Sequence, residues 1–368
     1  MADAELVQRA KTLLDRLAEN PRFAGSAEES RARALCRDEL ERAGFECREL
    51  PFEYSQWPAR WGPPLAALVQ VLGVLVMIGL AANGRPGVGA ITAVGVMALA
   101  AVAGRWVRQR GVVAFPYGRA RAVNLEARRG APSVWLVAHL DTKSQTVPML
   151  VRIASTVTLQ LVSILVLAVV AVAALGWWSV GNPWRALSVA AILAALPTLL
   201  CFVGNRSQGA VDNASGVVAT LLAATSSLAP RDLGVLITSG EEVGLAGARV
   251  WAAASATSSS CILNCDTVDD DGGWRCMYSG SKPESIIEAA RVAGRGAGIP
   301  CRVGRLIPGI LADNIAFADL GIRAVTISCG NFSTLARIHT WRDNSTGMSG
   351  KGAAEASALL SALAKDLT

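Results

Sequence analysis

The chain contains only two histidines, and each lies in a short motif that could supply metal ligands. His139 begins the tripeptide His139-Leu140-Asp141, and His339 begins a pentapeptide that ends at Asp343. Imidazole and carboxylate groups together are the ligands of hydrolytic zinc centres. The scarcity of histidine therefore indicates that both residues serve the same chemistry.

Three carboxylate motifs lie between the two histidines. Asp212 precedes Asn213, Glu241 and Glu242 are adjacent, and Asp266 closes an Asn-Cys-Asp tripeptide. A two-metal hydrolytic site needs one carboxylate shared by both ions, a histidine and a carboxylate for each ion, and a free carboxylate as base. The motifs supply every one of these groups.

Each motif alone has a commoner explanation. It could be a chance group of surface residues, part of a solvent-exposed face or an ordinary turn. All of them in one chain are far more specific, because a shared site explains them together. We therefore predict a two-zinc site and assign Glu241 as its general base. Asp141 is expected to orient the imidazole of His139. The predicted ligands of the two ions are His139, Asp212, Glu242, Asp266 and His339.

Four apolar blocks interrupt the polar sequence, at about residues 63–82, 88–104, 153–175 and 186–203, and raise the apolar content to 52%. They carry no internal charge and are close to membrane-spanning length. Tryptophans stand near their ends, as at membrane interfaces. We predict two transmembrane hairpins; the alternative is a set of core helices in a soluble protein. The flanking tryptophans are Trp57, Trp61, Trp106, Trp177, Trp178 and Trp184.

These blocks divide the chain into a polar catalytic domain (1–60, 107–150 and 205–368) and two inserted hairpins (61–106 and 151–204). Six arginines flank the polar domain, and two lie in the opposite turns, so the positive-inside rule places that domain in the cytoplasm. We expect a multi-pass membrane protein. The net charge of +6 lacks the arginine stripe with interleaved aromatics that nucleic-acid binding needs, so no such partner is expected. The arginines are Arg60, Arg105, Arg108, Arg110, Arg152 and Arg206, with Arg85 and Arg185 opposite.

The polar sequence alternates between strand-like and helical patterns. This alternation predicts an α/β domain with a doubly wound, mostly parallel sheet. Several of the carboxylate and histidine motifs fall where apolar strands end, which is where such sheets bind ligands. The predicted strands are 45–54, 122–127, 133–138, 234–238, 260–264, 275–279 and 324–328. The predicted helices are 1–20, 26–43, 215–228, 246–254, 283–297, 312–320 and 349–366.

With these motifs the chain resembles the co-catalytic zinc aminopeptidases, which include bacterial leucyl aminopeptidase, glutamate carboxypeptidase and glutaminyl cyclase. The resemblance extends to the segments 20–26 and 312–317 and covers almost all of the polar sequence. It implies the zinc-exopeptidase fold. One ion would be bound by His139, Asp212 and Asp266, and the other by Asp212, Glu242 and His339. It also implies an unusual cis peptide bond after Asp212. Asn314 and Asn344 replace residues that are usual in the family, at positions that bear on substrate contacts.

The resemblance implies peptide-bond hydrolysis, in which Glu241 takes a proton from the attacking water and returns it to the leaving amine. Alternatives are a related amidase or deacylase, a glutaminyl cyclase, or a catalytically inactive receptor-like scaffold. Asp212 follows the fourth block by about nine residues, a tether of roughly 30 Å at full extension. We therefore expect substrates near the lipid bilayer, such as apolar peptides or acylated amino acids. The sequence carries no indication of the oligomeric state.

Overall fold

The computed structural model describes residues 3–177, 183–257, 259–307 and 309–368, without the side chains at 108 and 109. The predicted interfacial Trp178 and the side chain of Arg108 therefore lie outside the described residues. The chain divides into two compact units. One comprises Met1–Ser55, Gly118–Ser144 and Gly204–Thr368, and the other comprises Gln56–Tyr117 and Gln145–Val203.

The first unit is built on an eight-stranded sheet in the order β1-β2-β6-β3-β7-β10-β8-β9. The central strands β6, β3, β7 and β10 run parallel, while β1, β2 and β8 add antiparallel pairings. The predicted α/β fold with a mostly parallel sheet is confirmed. The strands are β1 (Glu46–Ser55), β2 (Arg119–Arg129), β3 (Val134–His139), β6 (Leu233–Thr238), β7 (Cys261–Val268), β8 (Gly273–Tyr278), β9 (Arg302–Arg305) and β10 (Arg323–Gly330).

The edge strand β9 was not predicted, because its residues Arg-Val-Gly-Arg show no apolar alternation. This strand pairs with β8, and that pairing defines it. Two two-residue strands, β4 (Ser144–Gln145) and β5 (Val203–Gly204), pair with each other.

Among the residues that the structure describes, eight α-helices accompany the large sheet. The helix that begins at Ser215 is apolar on all sides, and every residue from Ser215 to Ala224 is buried. Because it lies against β3 and β7, it fixes the C-terminal end of the segment that carries Asp212. The helices are α1 (Ala4–Leu17), α2 (Ala27–Arg42), α7 (Ser215–Thr225), α8 (Ala246–Ser255), α9 (Glu284–Gly296), α10 (Asn314–Ala318), α11 (Phe332–Arg337) and α12 (Lys351–Leu367).

The start of α2 brings a fully buried carboxylate into the unit. Ser26 Oγ accepts a hydrogen bond from the Glu29 backbone N–H at 3.1 Å, as expected of a capping residue. The Glu29 carboxylate accepts from Gly25 N–H at 2.7 Å and from the Ser239 hydroxyl. Burial raises the pKa of Glu29 to about 8, from an ordinary value of 4.5. Glu29 is therefore held in its neutral form near pH 7.

Replacing Glu29 by glutamine should flatten the pH dependence of folding stability. Because its pKa is raised in the folded state, the contribution of Glu29 is full below about pH 4.5 and is lost as the pH rises towards 8. Glutamine has the size of the neutral acid and keeps an oxygen that can accept the Gly25 N–H. Relative to the parent, Glu29→Gln should gain about 3 kcal/mol of unfolding free energy between pH 5 and pH 8.

Urea unfolding of the purified protein at pH 5, 6.5 and 8 measures this difference. Glu28→Gln, at the half-exposed neighbouring position, is the control and should follow the parent. Parallel pH profiles for the parent and Glu29→Gln would contradict the assignment.

The described part of the second unit consists mainly of four apolar helices, with a short helical segment after the second. Their buried core includes Leu159, Val166 and Val170. Polar side chains also connect the helices: the Gln70 amide donates to Ser163 Oγ at 2.9 Å, and the hydroxyls of Ser155 and Thr198 lie 2.8 Å apart. Such hydrogen bonds hold helices together in an apolar surrounding. The helices are α3 (Trp57–Ala82), α4 (Pro86–Trp106), α5 (Met149–Ala174) and α6 (Trp184–Leu199).

Three of the four helices are long and apolar enough to cross a membrane, judged by length and composition among the described residues. The fourth, α6, has 16 residues and is shorter than a span requires. The predicted block continued to residue 203, but the helix ends at Leu199. Residues beyond it bond to Thr146 instead, with Phe202 N–H donating to Thr146 Oγ1 at 2.8 Å. The two transmembrane hairpins therefore stay a prediction.

Candidate metal centre

Three neighbouring parallel strands bring the predicted motifs to one edge of the sheet. His139 is the last residue of β3, Asp266 lies near the end of β7, and Glu241 and Glu242 follow the end of β6. Since β6, β3 and β7 are adjacent, their carboxyl ends meet. The motifs converge because strand order places them together.

The first cluster consists of His139, Asp212 and Asp266, and all three side chains are buried. His139 Nε2 lies 3.2 Å from Asp212 Oδ1 and 3.6 Å from Asp266 Oδ1. The three offered ligand atoms lie within 4.8 Å of one another. This spacing suits one cation between them.

The second cluster consists of Asp212, Glu242 and His339, which are also buried. His339 Nε2 lies 3.0 Å from Asp212 Oδ2 and 3.2 Å from Glu242 Oε2. His339 adopts a φ of 61°, which is uncommon for a residue other than glycine. Asp212 directs one oxygen to each cluster, so it is the group that the two clusters share.

The tautomer of His139 follows from its main-chain contact. His139 Nδ1 lies 3.0 Å from the Asp141 carbonyl oxygen, which can only accept a hydrogen bond. In the neutral ring Nδ1 therefore carries the proton, and Nε2 presents a lone pair to Asp212 and Asp266. That arrangement is the one a metal ligand needs.

The Asp141 carboxylate has a different contact from the one we expected. Its Oδ1 accepts from the Glu241 N–H at 3.0 Å, and its Oδ2 accepts from the Glu242 N–H at 3.1 Å. It is farther from the ring, at 3.7 Å from His139 Nδ1. Asp141 thus fixes the main chain of the two glutamates, while its carbonyl orients the imidazole. Burial raises the pKa of Asp141 to about 6.

Asp343 holds the segment of the shared aspartate in the same way, and the sequence analysis assigned it no role. Its Oδ1 accepts from the Val211 N–H at 2.8 Å, and its Oδ2 accepts from the Asp212 N–H at 3.2 Å. Burial raises the pKa of Asp343 to about 7. The available signal was an aspartate four residues after His339, on a motif that already carried one ligand.

The segment around Asp212 is tied to both neighbouring parts of the site. The Asp212-Asn213 peptide bond is cis, as the family resemblance implied. The Asn213 amide donates to the Cys265 carbonyl at 2.9 Å, next to Asp266. The buried Arg22 guanidinium donates to the Leu140 carbonyl at 2.9 Å and to the Gly209 carbonyl at 3.0 Å. Arg22 therefore joins the segment after His139 to the segment before Asp212.

The electrostatic character of the site is strongly negative. Burial would lower the pKa of His139, but the Glu241, Asp212 and Asp266 carboxylates raise it well above its usual value. Burial of Glu241, with Glu242 and Asp266 nearby, raises its pKa well above the ordinary value. Such a pocket attracts cations and disfavours additional negative charge.

The buried Asp313 and the mostly buried Lys143 also face this region, and neither was predicted as a site residue. The Thr238 hydroxyl donates to Asp313 Oδ2 at 2.5 Å, and burial raises the pKa of Asp313 to about 7. Lys143 Nζ lies 2.6 Å from Glu242 Oε2. Burial disfavours the charged form of Lys143, but Glu242 and Glu241 raise its pKa, so the lysine stays protonated.

The residues present fit a pair of bound cations. His139 Nε2 and Glu242 Oε1 are buried and have no hydrogen-bond partner among the described residues. Leaving such groups unpaired is costly, and a cation bound in each cluster would give each of these atoms a partner. The two clusters combine nitrogen and carboxylate oxygen, the donor set that zinc accepts. Glu241 belongs to neither cluster and lies beside both.

Known structures resemble this chain along nearly its whole length. A structure titled "Aminopeptidase from Aneurinibacillus sp. strain AM-1" is 13% identical, with a TM-score of 0.56, and the match covers 98% of this chain and 93% of that one. BSAP, described as a zinc aminopeptidase from Bacillus subtilis, is 12% identical with a TM-score of 0.56 and coverages of 97% and 94%. A glutaminyl cyclase from Fimbriiglobus ruber is 16% identical with a TM-score of 0.55 and coverages of 100% and 97%.

At such low sequence identities, these TM-scores show a shared fold and nothing more specific. No curated protein sequence matches the chain significantly. The model of peptidase family M28, in contrast, matches residues 122–364, which is well over half of the chain. The chain therefore belongs to peptidase family M28 and is a hydrolase of the metallopeptidase class.

Proposed function

We propose that the chain is a membrane-anchored zinc aminopeptidase that uses two ions and Glu241 as general base. The observation that carries this proposal is the pair of buried clusters that share Asp212, with one glutamate left over beside them. The fold shared with zinc aminopeptidases supports zinc as the metal. By this proposal His139, Asp212 and Asp266 hold one ion, and Asp212, Glu242 and His339 hold the other.

The proposed mechanism divides the work between the ions and the chain. The ions, when bound, supply the Lewis acidity that polarises the scissile carbonyl and makes water nucleophilic at neutral pH. Glu241 accepts the proton of the attacking water and returns it to the leaving amine. Asp141 positions Glu241 by accepting its backbone N–H at 3.0 Å.

The four-helix unit is proposed as the membrane anchor. Large apolar side chains on its helices are exposed, among them Ile91 and Leu99 on α4 and Leu161 on α5. Soluble proteins rarely expose apolar surface on this scale, whereas lipid would cover it. The arginine distribution places the peptidase unit in the cytoplasm, and the short sequence tethers favour substrates near the bilayer.

Two other functions would use the same site differently. A related amidase, deacylase or glutaminyl cyclase would act on another substrate, and the likeness to a glutaminyl cyclase fold favours that group among the alternatives. A catalytically inactive scaffold has no need of a complete set of ligands and a free Glu241. We therefore place the aminopeptidase first.

A substrate panel tests the proposed function. The panel compares aminoacyl peptides with free amines, the same peptides with acylated amines, N-terminal glutaminyl peptides, and each peptide in soluble and lipid-tethered form. We expect fastest hydrolysis of lipid-tethered peptides with free amines. Cyclisation without hydrolysis would favour the cyclase, and selective cleavage of acylated substrates would favour the amidase. No turnover of any substrate by zinc-loaded protein would contradict the proposal.

A further inference from the structure

Lys143 places a positive charge directly against the second cluster. Its ammonium Nζ lies 2.6 Å from Glu242 Oε2 and donates to the Glu242 backbone carbonyl at 3.3 Å. The side chain is only 14% exposed. The contact is therefore a largely buried ion pair, made with a carboxylate that the second cluster would offer to a metal.

The main chain on both sides of Lys143 is anchored. Thr142 N–H donates to the Arg22 carbonyl at 3.0 Å, and Arg22 N–H donates to Thr142 Oγ1 at 2.8 Å. On the other side, Ser144 Oγ accepts from Arg206 N–H at 3.0 Å. Since both neighbours are held, the lysine is confined to the vicinity of Glu242.

The ammonium and a bound cation would share one carboxylate, that of Glu242. Glu242 Oε2 is the atom that lies 3.2 Å from His339 Nε2, and it is also the partner of Lys143. Glu242 Oε1 has no hydrogen-bond partner among the described residues. Glu242 belongs to the second cluster alone, so the competition falls on one metal position and spares the other.

We propose that Lys143 makes the two metal positions unequal. The position formed by His139, Asp212 and Asp266 holds its cation tightly. The position formed by Asp212, Glu242 and His339 holds its cation weakly, because like charges repel across a short distance and Lys143 occupies Glu242. The protein then carries one resident ion and one exchangeable ion, and its activity rises with the free concentration of the metal.

This inference rests on the proposed two-ion function, and zinc binding tests it without reference to activity. The full-length chain in detergent is stripped with a chelator and titrated with Zn²⁺ by isothermal calorimetry. The parent should bind one equivalent tightly and a second at least about tenfold more weakly. His339→Ala should abolish the weak phase and retain the tight one, and His139→Ala should weaken the tight phase.

Substitutions of Lys143 separate its charge from its hydrogen bond. Lys143→Gln keeps a donor without charge, Lys143→Met removes both, and Lys143→Arg keeps the charge. The first two should tighten the second equivalent by about tenfold or more, and Lys143→Arg should leave it weak. Lys282→Met is the matched control, because Lys282 pairs with Glu284 at 2.8 Å on the surface and should change neither phase.

The outcomes separate this inference from the proposed function. The inference would be overturned if the parent bound two zinc ions equally tightly. It would also be overturned if Lys143→Gln and Lys143→Met bound the second zinc ion more weakly than the parent. Either result would leave the two-ion function intact. Weaker binding in these variants would mean that Lys143 positions Glu242 for the metal instead of competing with the metal. A parent that binds no zinc at either position would overturn both proposals.

Discussion

The Glu241→Gln variant should bind as much zinc as the parent and hydrolyse peptides about 10³-fold more slowly. Glu241 lies beside both clusters but belongs to neither, so its loss removes the proton carrier and leaves the ligands in place. Glutamine preserves the size of the side chain and the backbone N–H that Asp141 accepts. Single-turnover rates and zinc content, measured on the same samples, check both halves of this expectation.

A matched control distinguishes chemistry from folding in this experiment. Glu355→Gln alters a glutamate of α12 that pairs with Lys351 on the same helix, and it should retain the parent's rate. Retained turnover in Glu241→Gln would remove Glu241 from the role of general base. Loss of zinc together with activity would instead assign it to the ligands.

The Asp212→Asn variant should lose both ions, because Asp212 directs one oxygen to each cluster. An amide offers one neutral oxygen where the carboxylate offered two charged ones, and both imidazoles lose their common partner. Zinc retained after dialysis should fall below one ion per chain, and turnover should fall by at least about 10³-fold. Elemental analysis and steady-state rates measure the two effects.

The exposed Asp271 provides the control for a loss of negative charge in the same unit. Asp271→Asn should keep the parent's zinc content and rate. A variant at Asp212 that lost only one ion, with the other held as before, would show that Asp212 serves a single position. The shared-aspartate arrangement would then be wrong.

Much of the fold could be predicted because its signals are local. Strand runs such as Leu233–Thr238 are wholly apolar, and the helix α2 begins at a serine that caps it. The site motifs could also be predicted, since histidine occurs only twice and carboxylates recur at strand ends. For the metal site, the sequence predicted the types of residue and their order along the chain.

The parts that could not be predicted depend on long-range contacts. Asp343 reaches the main chain of Asp212 across 131 residues, and Arg22 links segments that are remote in sequence. Lys143 resembled an ordinary polar residue after a strand until its partner Glu242 was known. The end of α6 at Leu199 likewise depends on a contact with Thr146. Hydrophobic periodicity and motif spacing do not indicate which residues distant in sequence will be in contact.

An anomalous difference map of zinc-loaded crystals, measured at the zinc absorption edge, tests the central claim most directly. We predict two peaks, one among His139, Asp212 and Asp266 and a second, weaker at limiting zinc, among Asp212, Glu242 and His339. Strong peaks elsewhere in the molecule, with neither cluster occupied, would contradict it.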